Sequence, residues 1–173
     1  RVLLGNNAGG IQANENDPGR LYAKLAGGIS ETDGTDPATI PLVGRPMQMA
    51  KLLIAYDTTE GQTRRIAQHV AGAIVRSGKD VEVIDIRRPP TGFSPDGFDA
   101  IIVGASIHLG KHSRQLMAFV SRHVARLNAL PSGFFSVSLS AAGSEKEQAD
   151  ASRFIEEFLA QTGWNPAIKA TFA

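Results

Sequence analysis

The sequence predicts a doubly wound α/β domain with a five-stranded parallel sheet in the strand order 2-1-3-4-5. Three observations predict it. The apolar runs Leu52–Tyr56 and Ala100–Gly104 carry no charge, as strands buried on both faces of a parallel sheet require. Amphipathic helical patterns alternate with strand-like runs from Lys51 to the end of the chain. The first apolar run stops in a hydroxyl-rich loop around one glycine, directly before a helical pattern, which is where such sheets bind ligands.

Residues 1–48 are rich in Gly, Asn, Asp, Thr and Pro and show no sustained periodicity. They read as a flexible leader foreign to the domain, which is expected to span residues 49–173 with a native start at Met47 or Met49. After the first strand, Ile66, Val70 and Ile74 recur at helical spacing beside Ala67, Ala71 and Val75, and Gly78 ends that helix. Val81–Ile86 mixes charge with β-branched residues, as an edge strand does, and Arg87-Arg88-Pro89-Pro90 stops it. Ala100–Gly104 is the central third strand. From Lys111 to Leu127 a helix is expected, with Leu116, Val120, Val124 and Leu127 on its apolar face and Met117 beside it. Phe134–Leu139 is the fourth strand. Ser144 and Glu147 are spaced as a capping box, and Phe154, Ile155, Phe158 and Leu159 supply the buried stripe of the following helix. Gly163 and Pro166 terminate it, and Ile168–Phe172 is the fifth strand. The covering helix that should follow is missing before Ala173, so the domain is expected to be truncated at its carboxyl end.

The loop Thr58-Thr59-Glu60-Gly61-Gln62-Thr63 joins a strand's carboxyl end to a helix amino terminus, where backbone N–H groups lack partners. Three threonine hydroxyls add donors, and Gly61 allows close backbone approach. Neither G-x-x-x-x-G-K-[ST] nor G-x-G-x-x-G is present here, so a P-loop and a dinucleotide fingerprint are both excluded. Two readings remain: a cradle of neutral donors for one terminal phosphate, or a threonine-rich turn that only caps the helix.

The absence of cysteine excludes disulfides, thiolate nucleophiles and cysteine-ligated iron–sulfur clusters, so redox chemistry needs a bound organic cofactor. No apolar run approaches the roughly 18 residues of a membrane span, and the near-neutral charge carries no nucleic-acid signature. No conventional metal-ligand spacing is found, and no Ser/His/Asp arrangement; catalytic residues are not assigned.

The phosphate loop resembles the FMN sites of flavodoxin-like proteins. Gly104-Ala105-Ser106-Ile107, His112, Phe119-Val120, Arg126-Leu127-Asn128-Ala129-Leu130-Pro131-Ser132 and Phe134-Phe135-Ser136-Val137 resemble, more narrowly, the bacterial flavodoxin-type protoporphyrinogen IX dehydrogenase family. That family is the quinone-coupled, FMN-dependent form, and the similarity runs from Lys51 almost to Ala173. The resemblance implies that Thr58, Thr59, Glu60, Gly61, Gln62 and Thr63 hold the FMN phosphate. It places Ser106, Ile107, His108, Leu109 and Gly110 on one side of the flavin ring, and Ser138, Leu139, Ser140, Ala141 and Ala142 on the other. It implies a porphyrinogen substrate, a membrane quinone as acceptor, a role in heme biosynthesis, and a cytoplasmic protein with peripheral contact to the inner membrane. Leu109 stands where the family has an aromatic residue, which removes a stacking contact, and the family's longer tail with its inserted segment is absent.

His108 and His112 lie in the expected ring loop and read either as proton acceptors or, more in keeping with a loop, as a solvated pair. Arg64, Arg65, Lys111, Arg114, Arg122 and Arg126 read either as an attractor for porphyrinogen propionates or an anionic membrane, or as an ordinary solvated face. Trp164 is expected to pack against the domain. The competing function is a flavodoxin-type electron carrier. Such carriers are typically strongly acidic, whereas the chain from Lys51 onward has 14 Lys and Arg against 12 Asp and Glu, a formal balance of +2.

Overall fold

A computed structural model of the chain describes residues 50–138 and 144–173, with the side chains of residues 145, 147 and 148 outside that description. The leader therefore lies outside the described residues, as do Leu139, Ser140, Ala141 and Ala142. The elements run β1 (Lys51–Asp57), α1 (Gln62–Arg76), β2 (Asp80–Asp85), a 3-10 turn (Pro95–Gly97), β3 (Ala100–Ser106), α2 (Arg114–Ala129), β4 (Ser132–Val137), α3 (Glu145–Thr162) and β5 (Ile168–Phe172). All strands are parallel, in the order β2-β1-β3-β4-β5.

Strand alternation divides the core between the two faces of the sheet. Leu53, Ala55, Ile101, Val103 and Phe134 face α2 and α3, where Leu116, Val120, Leu127, Ile155, Phe158 and Leu159 close over them. Leu52, Ile54, Tyr56 and Ile102 face α1 and pack with Ala67, Val70 and Ile74. Further along this second face the Phe135 ring lies flat on Gly104, whose missing side chain makes the space: a Cβ there would stand 2.0 Å from Phe135 Cζ. Trp164 is buried as expected, and its Nε1 donates to Ser132 Oγ at 3.1 Å.

Three expectations shift. The helix expected from Lys111 begins at Arg114, because Lys111 pairs backwards with His108 in a tight turn and Ser113 takes the cap, accepting from Leu116 N at 3.0 Å. Strand β4 runs Ser132–Val137, two residues earlier than expected at each end; Leu139 falls outside the described residues. Of the α3 stripe, Ile155, Phe158 and Leu159 are buried, but Phe154 turns out of the core toward the carboxyl ends of the strands. Ser144 directly precedes α3, while the Glu147 half of the expected capping box lies outside the described side chains.

Candidate functional site

Because β1 is followed by β2 on one side and flanked by β3 on the other, the loops leaving β1 and β3 part company at the top of the sheet. The gap is a cavity of about 610 Å³, within the usual range for an organic ligand. Thr58, Thr59, Glu60, Gln62 and Thr63 line one end of it. Ser106, Ile107, His108, Leu109 and Gly110 also line it, as do Val137 and Ser138 from the neighbouring strand end, where Ile107 N donates to Val137 O at 2.8 Å. The structure thus brings together the predicted residues it describes. Gly61 stands behind the lining and supports it with a left-handed backbone (φ 88°) that a side chain would strain.

The loop's hydrogen bonds all run in one direction. Gly61 is the N-cap of α1 and has no side chain to cap it, and no acidic residue occupies the first turn. The first N–H groups of α1 are therefore left for something else. Thr58 Oγ1 accepts from Gly61 N at 2.9 Å, and Thr59 Oγ1 accepts from Arg87 Nη2 at 3.1 Å. Thr63 is wholly buried, yet its Oγ1 has no partner. Among the described residues no acceptor takes the proton of any of these hydroxyls. A capping threonine would accept from an N–H of the first helical turn, and α1 has no such side-chain cap. This donor set, at a helix amino terminus with the dipole's positive end, fits a phosphate monoester.

The side wall is built by a two-residue hairpin. His108 and Lys111 exchange backbone hydrogen bonds at 3.0 and 3.1 Å, with Leu109 (φ 50°) and Gly110 (φ 72°) at the turn. Leu109 is 89% exposed at the rim. A left-handed leucine is uncommon, and the turn holds it there without packing. Gly110 faces the Phe154 ring, and a Cβ added at Gly110 would stand 3.1 Å from Phe154 Cζ. Phe154 lines the cavity, so α3 supplies an aromatic wall close to the hairpin where Leu109 offers none. Helical spacing could only assign Phe154 to a stripe, not to one edge of it.

The two histidines separate. His108 is exposed and lines the cavity. His112 is not the solvated residue expected: its ring packs edge-on against Phe134 and Phe158 at centroid distances of 5.4 and 4.9 Å, and both ring nitrogens are shielded from water. Burial lowers its pKa to about 4, with the Ser106 backbone and the Asp57 carboxylate pulling weakly the other way. It is neutral at physiological pH.

Sequence reasoning missed a buried ionic group beneath the loop. Asp57, at the end of β1, is 1% exposed and accepts from Arg87 Nε at one oxygen and from Ser113 Oγ at the other. Arg87 was legible only as a strand stop. No arginine lies inside the loop, but this one reaches it from just past the carboxyl end of β2. Of the basic residues, Arg126 is already committed, donating to the carbonyls of Asp96 and Phe98 at 3.1 and 2.9 Å. Lys111, Arg114 and Arg122 are exposed. Among the described residues no group of His, Asp and Glu is placed to hold a metal ion.

Comparison with known proteins places this geometry. The flavodoxin domain model matches residues 53–173. The protoporphyrinogen IX dehydrogenase [quinone] of Escherichia coli strain K12 is 34% identical over 123 residues, covering 71% of this chain and 67% of that protein. The protein of the same name from Leishmania major is 33% identical over 127 residues, covering 73% of this chain and 54% of its own length. Among solved structures, oxidised flavodoxin 1 from Bacillus cereus superposes with a TM-score of 0.52 at 24% identity, covering 72% of this chain and 86% of that one, which shows the shared fold. The chain belongs to the flavodoxin domain family, an FMN-binding family, together with the protoporphyrinogen IX dehydrogenases [quinone].

Proposed function

We propose that this protein is an FMN-dependent oxidoreductase that takes electrons from protoporphyrinogen IX and passes them to a quinone. The observation that carries the cofactor is the set of unspent donors at the α1 amino terminus, above all the buried, unpartnered Thr63 hydroxyl. The substrate and acceptor rest on the names of relatives 33–34% identical over most of the chain. Bound FMN supplies a centre that accepts two electrons as hydride, which no side chain offers.

The chain's own residues do the rest. Thr58, Thr59, Thr63 and the first turn of α1 hold the phosphate. Residues 106–110 and Ser138 flank the ring. Phe154 closes the apolar wall. His112 stays neutral, so the site gains no fixed positive charge from it, while His108 stands exposed on the cavity lining. The exposed Lys111, Arg114 and Arg122 attract the carboxylates of the porphyrinogen and draw the protein to an anionic membrane surface holding the quinone. Among the described residues no helix is long and apolar enough to cross a membrane, so in this reading the contact is peripheral.

The test is turnover. FMN-loaded protein should oxidise protoporphyrinogen IX under anaerobic conditions at a rate that depends on added quinone. Rapid reduction of a partner protein with no quinone-dependent porphyrinogen oxidation would replace this reading with the electron carrier.

A further inference from the structure

A buried carboxylate directly beneath a phosphate cradle is electrostatically out of place. Asp57 precedes Thr58 in the chain and is shielded from water, so its charge is weakly screened from a dianion held by the next residues. The hydrogen-bond directions around it explain how it is accommodated. Ser113 Oγ accepts from Leu116 N, so its single proton is the one donated to Asp57 Oδ2. Arg87 Nε donates to Asp57 Oδ1, and a guanidinium has no acceptor to offer in return. Both carboxylate oxygens therefore serve as acceptors. The same guanidinium extends Nη2 to Thr59 Oγ1 at 3.1 Å. One lone pair of Thr59 is thereby occupied, which leaves its own proton for an acceptor in the cavity that Thr59 lines.

Resting on the flavin mononucleotide reading above, we propose that Asp57, Arg87 and Ser113 are positioning residues that set phosphate selectivity. Arg87 orients Thr59 as a donor to the phosphate and cancels the carboxylate charge below it; Asp57 and Ser113 hold Arg87 in place by its Nε edge and by tying the α2 cap to β1. The group lies outside the lining of the cavity. Its effect is confined to a ligand that carries a phosphate.

That confinement separates positioning from a merely structural tether. Flavin fluorescence titrations with FMN and with riboflavin should be run on the whole chain and on Arg87→Met, Asp57→Asn and the double variant. Arg87→Met should weaken FMN at least tenfold and leave riboflavin within about twofold, because it removes an oriented donor and bares a buried charge. The double variant should recover most of that loss, since the bared carboxylate is then gone. Should Arg87→Met fold poorly, Arg87→Lys keeps the charge but not the two-armed reach, and FMN affinity should fall severalfold with riboflavin unchanged. Equal losses for both flavins, unaltered FMN binding, or no recovery in the double variant would overturn the proposal. If the unaltered chain binds FMN and riboflavin alike, the phosphate reading itself fails, and that outcome is distinct from any of these.

Discussion

Thr63 is the residue on which the site turns. Its hydroxyl is buried without a partner, and burying an unsatisfied polar group costs about 1–3 kcal/mol, a cost that a ligand's phosphate oxygen would relieve. Thr63→Val should therefore leave or slightly raise the thermal stability of the flavin-free protein while weakening FMN by about tenfold; a destabilised apo form with unchanged FMN affinity would place this hydroxyl in the core instead. His112 gives a second prediction. Its native pKa is about 4 against 6.5 when free, so below pH 6.5 the unfolded chain binds a proton that the folded chain refuses. Its stabilising contribution is present above pH 6.5 and is lost as the pH falls toward 4, by at most about 3 kcal/mol. Urea midpoints at pH 7 and 5 should differ less in His112→Phe than in the native sequence. The sequence marked His112 as belonging to a loop, and loops are usually wet. What it did not display was that Phe134 and Phe158, from β4 and α3, meet over that ring. Thr63 was legible because hydroxyl type and helix position are local properties; Asp57 with Arg87 was not, since 30 residues separate the partners.

At the scale of elements, periodicity fixes what runs through the core and leaves the ends open. β1 and β3 were legible because a central parallel strand is apolar on both faces, and α1 because its stripe is uninterrupted. The start of α2 was misplaced by the His108–Lys111 hairpin, a turn whose sequence Leu-Gly carries only half of the expected left-handed preference. Phe154 escaped for a related reason: a residue at the edge of an apolar stripe looks the same whether it faces core or cavity. The face of the sheet beyond α1 depends on one aromatic ring laid on one glycine. Gly104→Ala would drive a methyl into Phe135, a rigid ring with no exposed edge to move toward, and should cost about 1–3 kcal/mol in chemical denaturation. Paired with Phe135→Leu, the same substitution should be better tolerated, because the shorter side chain vacates the space. A Gly104→Ala protein as stable as the original would show that this contact is loose.

For the whole molecule, the charge balance and the site agree. The domain from Lys51 onward is slightly basic; exposed Lys111 and Arg114 follow the hairpin that lines the cavity, exposed Arg122 lies about two turns along α2, and Arg126 is withdrawn into structural bonds. If these residues capture an anionic porphyrinogen, the second-order rate should fall as salt rises, and Arg114→Glu with Arg122→Glu should lower it further without altering FMN affinity. A salt-independent rate would mean that this face is only solvated. All of it depends on one claim, that the cavity between the β1 and β3 loops is a site for a flavin carrying a single phosphate. The direct measurement is the affinity of the flavin-free protein for FMN, riboflavin and FAD by flavin fluorescence. FMN should bind tightest, with riboflavin weaker by tenfold or more for want of the phosphate, and FAD weaker because the loop lacks a dinucleotide fingerprint; equal affinity for FMN and riboflavin would contradict the account.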